Sequence, residues 1–141
     1  MGLATADSTP MMNWHDTRAL RYKRAKRVRV LIVEDDPDLR EFMAHRLADA
    51  GFDPDVASNG QDALDKAHDN PPRVIVLDMM MPVMDGWAFR AHQRYCITLA
   101  AIPVVILSAV PLAQLGNVGA AAALQKPVHE NELVAAIRAY C

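Results

Sequence analysis

The sequence predicts a doubly wound α/β domain, a parallel sheet with helices on both faces. Three observations predict it. Short β-branched apolar runs alternate with stretches of helical periodicity from residue 28 to the end of the chain. The strongest runs are apolar throughout, as strands buried on both faces require. Finally, four of the runs stop abruptly at a distinctive polar group: Glu34-Asp35, Asp78, Ser108 and Lys126.

The elements follow in order. Val28, Val30, Leu31, Ile32 and Val33 form the first strand. Asp36 is the expected N-cap of the next helix, with Pro37 in its first turn, Leu39, Phe42, Met43, Leu47 and Ala50 at helical spacing, and Gly51 as the stop. Phe52 to Ala57 is a weak strand, and Pro54 argues for a sheet edge. Ser58-Asn59-Gly60 turns into a helix with Ala63, Leu64 and Ala67 inward, broken by Asn70-Pro71-Pro72. Val74 to Leu77 is the strongest buried strand and ends at Asp78. Asp85 can cap a helix through Trp87 and Phe89 to about Tyr95. Pro103 to Leu107 is the next strand, a short helical piece is expected around Leu112 to Asn117, and Ala123 to Gln125 is the last strand. The final helix starts near Glu130 with Leu133, Val134, Ile137 and Tyr140 on its inner face. Right-handed βαβ units of this number fit the flavodoxin-like arrangement, a five-stranded parallel sheet of order 2-1-3-4-5, with the weak second strand at the edge.

Composition bounds the rest. At 141 residues, 52% hydrophobic and 23% charged, the chain fits one globular domain that needs no staple. Cys96 and Cys141 match no metal or disulfide pattern. No apolar run is long enough for a membrane span and no signal segment is evident, so a soluble cytoplasmic protein is expected. The net charge of −2 hides an asymmetry. Residues 1–29 hold seven bases against two acids, whereas residues 30–141 hold eight bases against fifteen acids. Residues 1–27 read as a flexible basic leader, with one helical turn around Trp14 to Tyr22, ahead of a domain at 28–141. Nucleic acid is an expected partner only through residues 18–29, since the body is acidic.

In a parallel sheet the polar strand ends share one rim, where the strand order reverses. Three carboxylates crowded there raise one another's pKa unless a cation intervenes, and a hard cation with oxygen ligands, Mg²⁺ above all, is the natural solution. Carboxylates, one metal, one lysine and one hydroxyl together suit a phosphoryl group. Met79, Met80, Met81 and Met84 are better read as packing than as a soft-metal site. The five histidines are dispersed without ligand spacing, and His45 and His68 are expected at the surface.

Residues 28–141 resemble the receiver domain of two-component response regulators. The resemblance is carried by Val30-Leu31-Ile32-Val33-Glu34-Asp35-Asp36-Pro37, Val74-Ile75-Val76-Leu77-Asp78-Met79-Met80-Met81-Pro82, Met84-Asp85-Gly86, Ile106-Leu107-Ser108-Ala109 and Lys126-Pro127. It implies that Asp78 is a phosphoacceptor for a phosphohistidine on a sensor histidine kinase or histidine phosphotransfer protein. Asp35 would bind Mg²⁺ directly and Glu34 through water, with Asp78 giving a carboxylate oxygen and Met80 its carbonyl. Ser108 would bond the phosphoryl group, Ala109 would leave room for it, and Lys126 would pair with it across a cis Lys126-Pro127 bond. The protein would then be a phosphoprotein switch rather than an enzyme, acting on an unknown downstream protein target or relaying phosphate.

Two departures from the family pattern stand out. Ala123 replaces the usual aromatic three residues before the lysine, and the stretch from Ser108 to Lys126 is about four residues short, so the fourth helix is expected to be shortened or unwound. Met80 and Val110 are apolar beside the acceptor, where they either shield the acyl phosphate from water or simply pack. Because the chain stops after its last helix, a single-domain regulator is expected. The alternatives are a receiver-like protein-binding module that signals without phosphorylation, a basic arm that tethers nucleic acid, and an Mg²⁺-dependent phosphatase. The last lacks a second acid placed for proton transfer near Asp78.

Overall fold

Five strands, β1 (Arg29–Val33), β2 (Asp53–Ala57), β3 (Val74–Asp78), β4 (Val104–Ser108) and β5 (Ala122–Gln125), form one parallel sheet of order β2-β1-β3-β4-β5 in the computed structural model, which describes residues 27–116 and 118–141. The helices are α1 (Pro37–Asp49), α2 (Gly60–Asp69), α3 (Gly86–Arg94), α4 (Ile97–Ala100) and α5 (Glu130–Arg138). The expected strand order is therefore the observed one, with the proline-bearing β2 at the edge.

Alternation along the strands explains why both faces are covered. Leu31, Val33, Ile75, Leu77 and Ile106 point to a core closed by Ala63, Leu64 and Ala67 of α2, Phe89 of α3 and Leu99 of α4. Val30, Ile32, Val74, Val76, Val105 and Leu107 point the other way, against Met43 and Leu47 of α1 and Leu133 and Ile137 of α5. β3 and β4 are buried at every residue, which is why their sequences lack a polar face.

The helix starts are set by side chains near their expected places. Asp36 accepts from Asp38 N–H and Leu39 N–H, Asn59 from Asp62 N–H, and Asp85 from Ala88 N–H. Gly51, at φ 96°, supplies the left-handed residue just after α1.

Several expectations are corrected. Phe42 is 41% exposed, because α1 buries a narrow stripe: only Met43 and Leu47 of its apolar set reach full burial. Tyr140 lies beyond α5 and is also exposed, and Val134 is only half-buried. The helical piece expected over residues 112–117 is a single 3-10 turn, Leu112–Gln114. The short helix α4 was not expected, since its residues read as part of the following apolar run. The helical turn proposed for Trp14 to Tyr22 lies outside the described residues.

Polar contacts replace the missing turns of helix between β4 and β5. Arg90 Nη2 donates to the carbonyls of Val118 at 3.1 Å and Gly119 at 2.8 Å, and Arg94 Nη2 reaches Val118 O at 3.3 Å. Tyr140 Oη donates to Ala121 O at 2.7 Å from the far side. Gln93, fully buried, ties α3 to α4: its Nε2 donates to Leu99 O at 2.9 Å and Ile102 O at 3.0 Å, while its Oε1 accepts from Arg90 Nη1 at 2.7 Å. A leucine there would leave two carbonyls without this donor. Gln93→Leu is expected to lower unfolding free energy by about 2–4 kcal/mol in urea titration, with the m-value unchanged.

Candidate functional site

β1 and β3 are neighbours, but the chain leaves them toward opposite edges of the sheet, so a crevice opens at their carboxyl ends. Glu34 and Asp35 follow β1, Asp78 ends β3, Ser108 ends β4, and Lys126 follows β5. Four stretches of sequence thus meet on one rim.

Oxygen atoms of Glu34, Asp35 and Asp78 lie within 4.8 Å of one another. Glu34 and Asp78 are buried and Asp35 is exposed. Lys126 Nζ stands 2.9 Å from Glu34 Oε1 and 3.3 Å from Asp78 Oδ2. Glu34 Oε1 has that ion-pair contact but no aligned hydrogen-bond donor among the described residues. Glu34 Oε2 accepts from Asp36 N–H at 3.2 Å, and Asp78 Oδ1 accepts from Met80 N–H at 3.1 Å. Burial, followed by the hydrogen bond to Asp78, pushes the Glu34 carboxyl up from 4.5 to about 7, although Lys126 and the Asp36 amide oppose the rise. Burial alone would lower the Lys126 ammonium, but Glu34 and Asp78 outweigh it, so its pKa is raised and its charge is kept.

With all three carboxylates ionised against one ammonium, the group carries two excess negative charges. An all-oxygen donor set with two buried carboxylates that share one ammonium, beside an exposed carboxylate that leaves room for water, fits a hard divalent cation. It does not fit copper or zinc, which would call for sulfur or imidazole.

Ser108 is fully buried and its hydroxyl is already engaged: Oγ donates to Val110 O at 2.8 Å and accepts from Val110 N–H at 3.1 Å. The Lys126 amide donates to Ser108 O at 2.7 Å, which joins the serine and lysine strand ends through the backbone. Ala109 is exposed at the rim, and Met80 is exposed with its amide on Asp78. The Lys126-Pro127 bond is cis, as expected. Ala123 is half-buried and packs on the core where the resembling family has an aromatic.

Sequence reasoning missed Arg40, and it noted Gly60 as a turn residue and Gly86 within a motif without the roles that hold the rim in place. Arg40 reaches back from α1 to donate to Glu34 O at 2.9 Å. Gly60 donates its amide to Met84 O at 3.2 Å, and a Cβ on Gly60 would stand 2.8 Å from that oxygen. Gly86 donates to Met79 O at 3.1 Å, and a Cβ there would meet Met79 Cα at 2.7 Å. Both glycines are therefore required by close backbone approach, which fixes the 79–85 loop beside Asp78. Within that loop Val83 has φ 72°, a strained conformation for a β-branched residue.

The sequence model of the response regulator receiver domain matches residues 30–138. Response regulator Rre1 of Synechocystis sp. is 34% identical over 119 residues, covering 81% of this chain and 52% of that protein. The sensor histidine kinase TmoS of Ectopseudomonas mendocina is 41% identical over 83 residues, 59% of this chain and 8% of the kinase. The crystal structure of the chemotaxis response regulator CheY4 of Vibrio cholerae aligns with a TM-score of 0.76 at 29% identity, over 82% of this chain and 99% of that one. The chain spans about half the length of the first curated relatives it matches. Among the described residues no helix is long and apolar enough to cross a membrane.

The raised Glu34 carboxyl has a consequence for stability. The folded state holds a proton there that the unfolded chain releases above about pH 4.5, so Glu34 penalises folding as pH rises through 7. In metal-free buffer Glu34→Gln is expected to stabilise the fold by about 1–3 kcal/mol at pH 8, and by nothing near pH 4.5. Urea unfolding of both proteins across that range checks it.

Proposed function

Because the chain belongs to the response regulator receiver domain family, whose members are two-component signalling modules rather than classical enzymes, we propose that it is a phosphorylation-dependent switch with Asp78 as phosphoacceptor. One observation carries the reading. The Asp78 carboxylate sits at the reversal point of the sheet, 3.3 Å from the Lys126 ammonium, with two further carboxylates gathered beside it.

The chemistry follows from that placement. Asp78 Oδ attacks the phosphorus of a phosphohistidine on a kinase or phosphotransfer protein, the P–N bond breaks, and the imidazole keeps the electron pair and takes up a proton. An acyl phosphate results. A carboxylate is a modest nucleophile, so charge on the transferred group must be neutralised as it moves. Lys126 supplies one positive charge from 3.3 Å. Glu34, Asp35, Asp78 and the Met80 carbonyl are the groups that would hold Mg²⁺, which when bound supplies the remaining charge compensation. Exposed Ala109 leaves the rim open to the phosphoryl group. Ser108 would turn its hydroxyl from Val110 to a phosphoryl oxygen, which breaks both bonds that now hold residue 110 and so marks the phosphorylated state in the backbone.

In this reading residues 28–141 are the receiver unit and residues 1–27 a basic leader. The phosphodonor is a sensor histidine kinase or a histidine phosphotransfer protein, and the output is a downstream protein target or phosphate relay. Arg29, counted with the basic segment, donates to Asp55 within the sheet at 3.2 Å, so it is not a free nucleic-acid contact.

Two measurements test the reading. After exposure to acetyl phosphate with Mg²⁺, the intact mass of the wild-type chain should rise by one phosphoryl group. Asp78→Asn should show none, and omission of Mg²⁺ should slow labelling by about tenfold or more. Undiminished labelling of Asp78→Asn would remove Asp78 as the acceptor, and failed labelling of the wild type would favour a binding module that signals without phosphorylation. Separately, Mg²⁺ at ten times its dissociation constant should stabilise the wild-type fold by about 1.4 kcal/mol, and Asp35→Ala should lose that increment.

A further inference from the structure

The outer face of α1 carries a stripe that the core does not use. Asp38, Glu41, Phe42, His45, Arg46 and Asp49 recur at three- or four-residue spacing and line a surface groove. Phe42 stands exposed at its centre with the Arg46 guanidinium 5.2 Å above its ring. That guanidinium faces two carboxylates, Glu130 at 2.8 Å and Asp49 at 3.8 Å, so it cannot neutralise both. Glu41 has only His45, at 3.8 Å, and Asp38 has no ion pair among the described residues. The groove is an acidic surround about an exposed aromatic ring.

We propose that residues 10–26 of the same chain bind this groove. Three observations select that occupant. Between residues 10 and 26 the sequence holds Arg18, Arg21, Lys23, Arg24 and Lys26 against one acid, Asp16, and intersperses Trp14, Leu20 and Tyr22. It therefore complements both the charge and the aromatic character of the stripe. Second, the chain enters the sheet beside the groove: Arg29 pairs in register with Asp53, four residues after Asp49 at the end of α1. Third, the tether is long enough. From Arg29 back to residue 10 the extended chain reaches roughly 60 Å, against about 20 Å for the 13-residue helix. A covalent tether of that length holds the segment at about millimolar effective concentration, so weak contacts suffice. The binding is independent of phosphorylation at Asp78.

The test uses the full chain. The protein has two tryptophans, so Trp87→Phe leaves Trp14 as the sole reporter. Acrylamide quenching of Trp14 should be about threefold weaker at roughly 0.01 M salt than at roughly 1 M, where screening is nearly complete. Glu41→Lys with Asp49→Lys should abolish that protection, as should Phe42→Ser. Adding Arg21→Glu and Arg24→Glu to the lysine pair should restore it. Full accessibility of Trp14 at low salt would overturn the proposal, and so would protection indifferent to the groove variants. Protection that grows with protein concentration would also overturn it, since the occupant would then be a second copy.

Discussion

Electrostatic repulsion among carboxylates is the constraint around which the rim is organised. Glu34, Asp35 and Asp78 come from two strands, and nothing in either strand alone requires them to meet. Their convergence follows from the reversal of strand order between β1 and β3, and Glu34 carries a raised pKa there, first through burial and then through Asp78. Lys126 relieves part of that cost from the other side of the sheet. The fold thus holds a site that is incompletely neutralised by its own residues, an arrangement that in the proposed reading would stabilise an added cation and, with it, a phosphoryl group. Stability and function pull in opposite directions here. On the proposed reading, the same imbalance that weakens the metal-free fold would create affinity for a cation.

Much of this was legible in the sequence, because strand ends are easy to read when strands are apolar throughout. Val74 to Leu77 has no polar residue to blur its end, so Asp78 stands out, and the same holds for Ser108 after β4. Lys126 is less conspicuous, since β5 is short and alanine-rich, yet the following proline marks it. The edge position of β2 was readable from Pro54. By contrast, Arg40, Gly60 and Gly86 carry no strand-end signal. Their importance comes from close approach of two backbones, or from a side chain reaching back across a loop, and neither leaves a periodic trace. Phe42 and Tyr140 were misplaced for a related reason. Helical spacing identifies which residues share a face, but it does not say how wide the covered stripe is, and α1 buries only a narrow one.

The connection between β4 and β5 shows how a short segment is held when regular helix is not available. One 3-10 turn is the regular structure among the described residues of the segment, and the carbonyls of Val118 and Gly119 take donors from elsewhere in the fold. Arg90 and Arg94 supply donors from α3, while Tyr140 supplies one to Ala121 from beyond α5. The chain has thereby exchanged local hydrogen bonds for long-range ones. An arginine that bonds two successive carbonyls fixes their relative orientation more tightly than a single bond would, which suits a segment whose described residues hold one 3-10 turn.

That exchange bears on how occupancy of the rim would be felt elsewhere. A small alanine at position 123 offers no ring whose rotation could report on Ser108, so the information must travel in the backbone. Ser108 is bonded at both ends of Val110, and the segment that follows runs to carbonyls gripped by α3. Withdrawal of the serine hydroxyl would therefore load the arginine contacts rather than β5. α3 begins at Gly86, packed against Met79, and so its N-terminal end touches the residue after Asp78. One helix thus contacts the acceptor loop at its first residue and the β4–β5 segment through Arg90 and Arg94. On physical grounds α3, rather than the last strand, is the element placed to sense both.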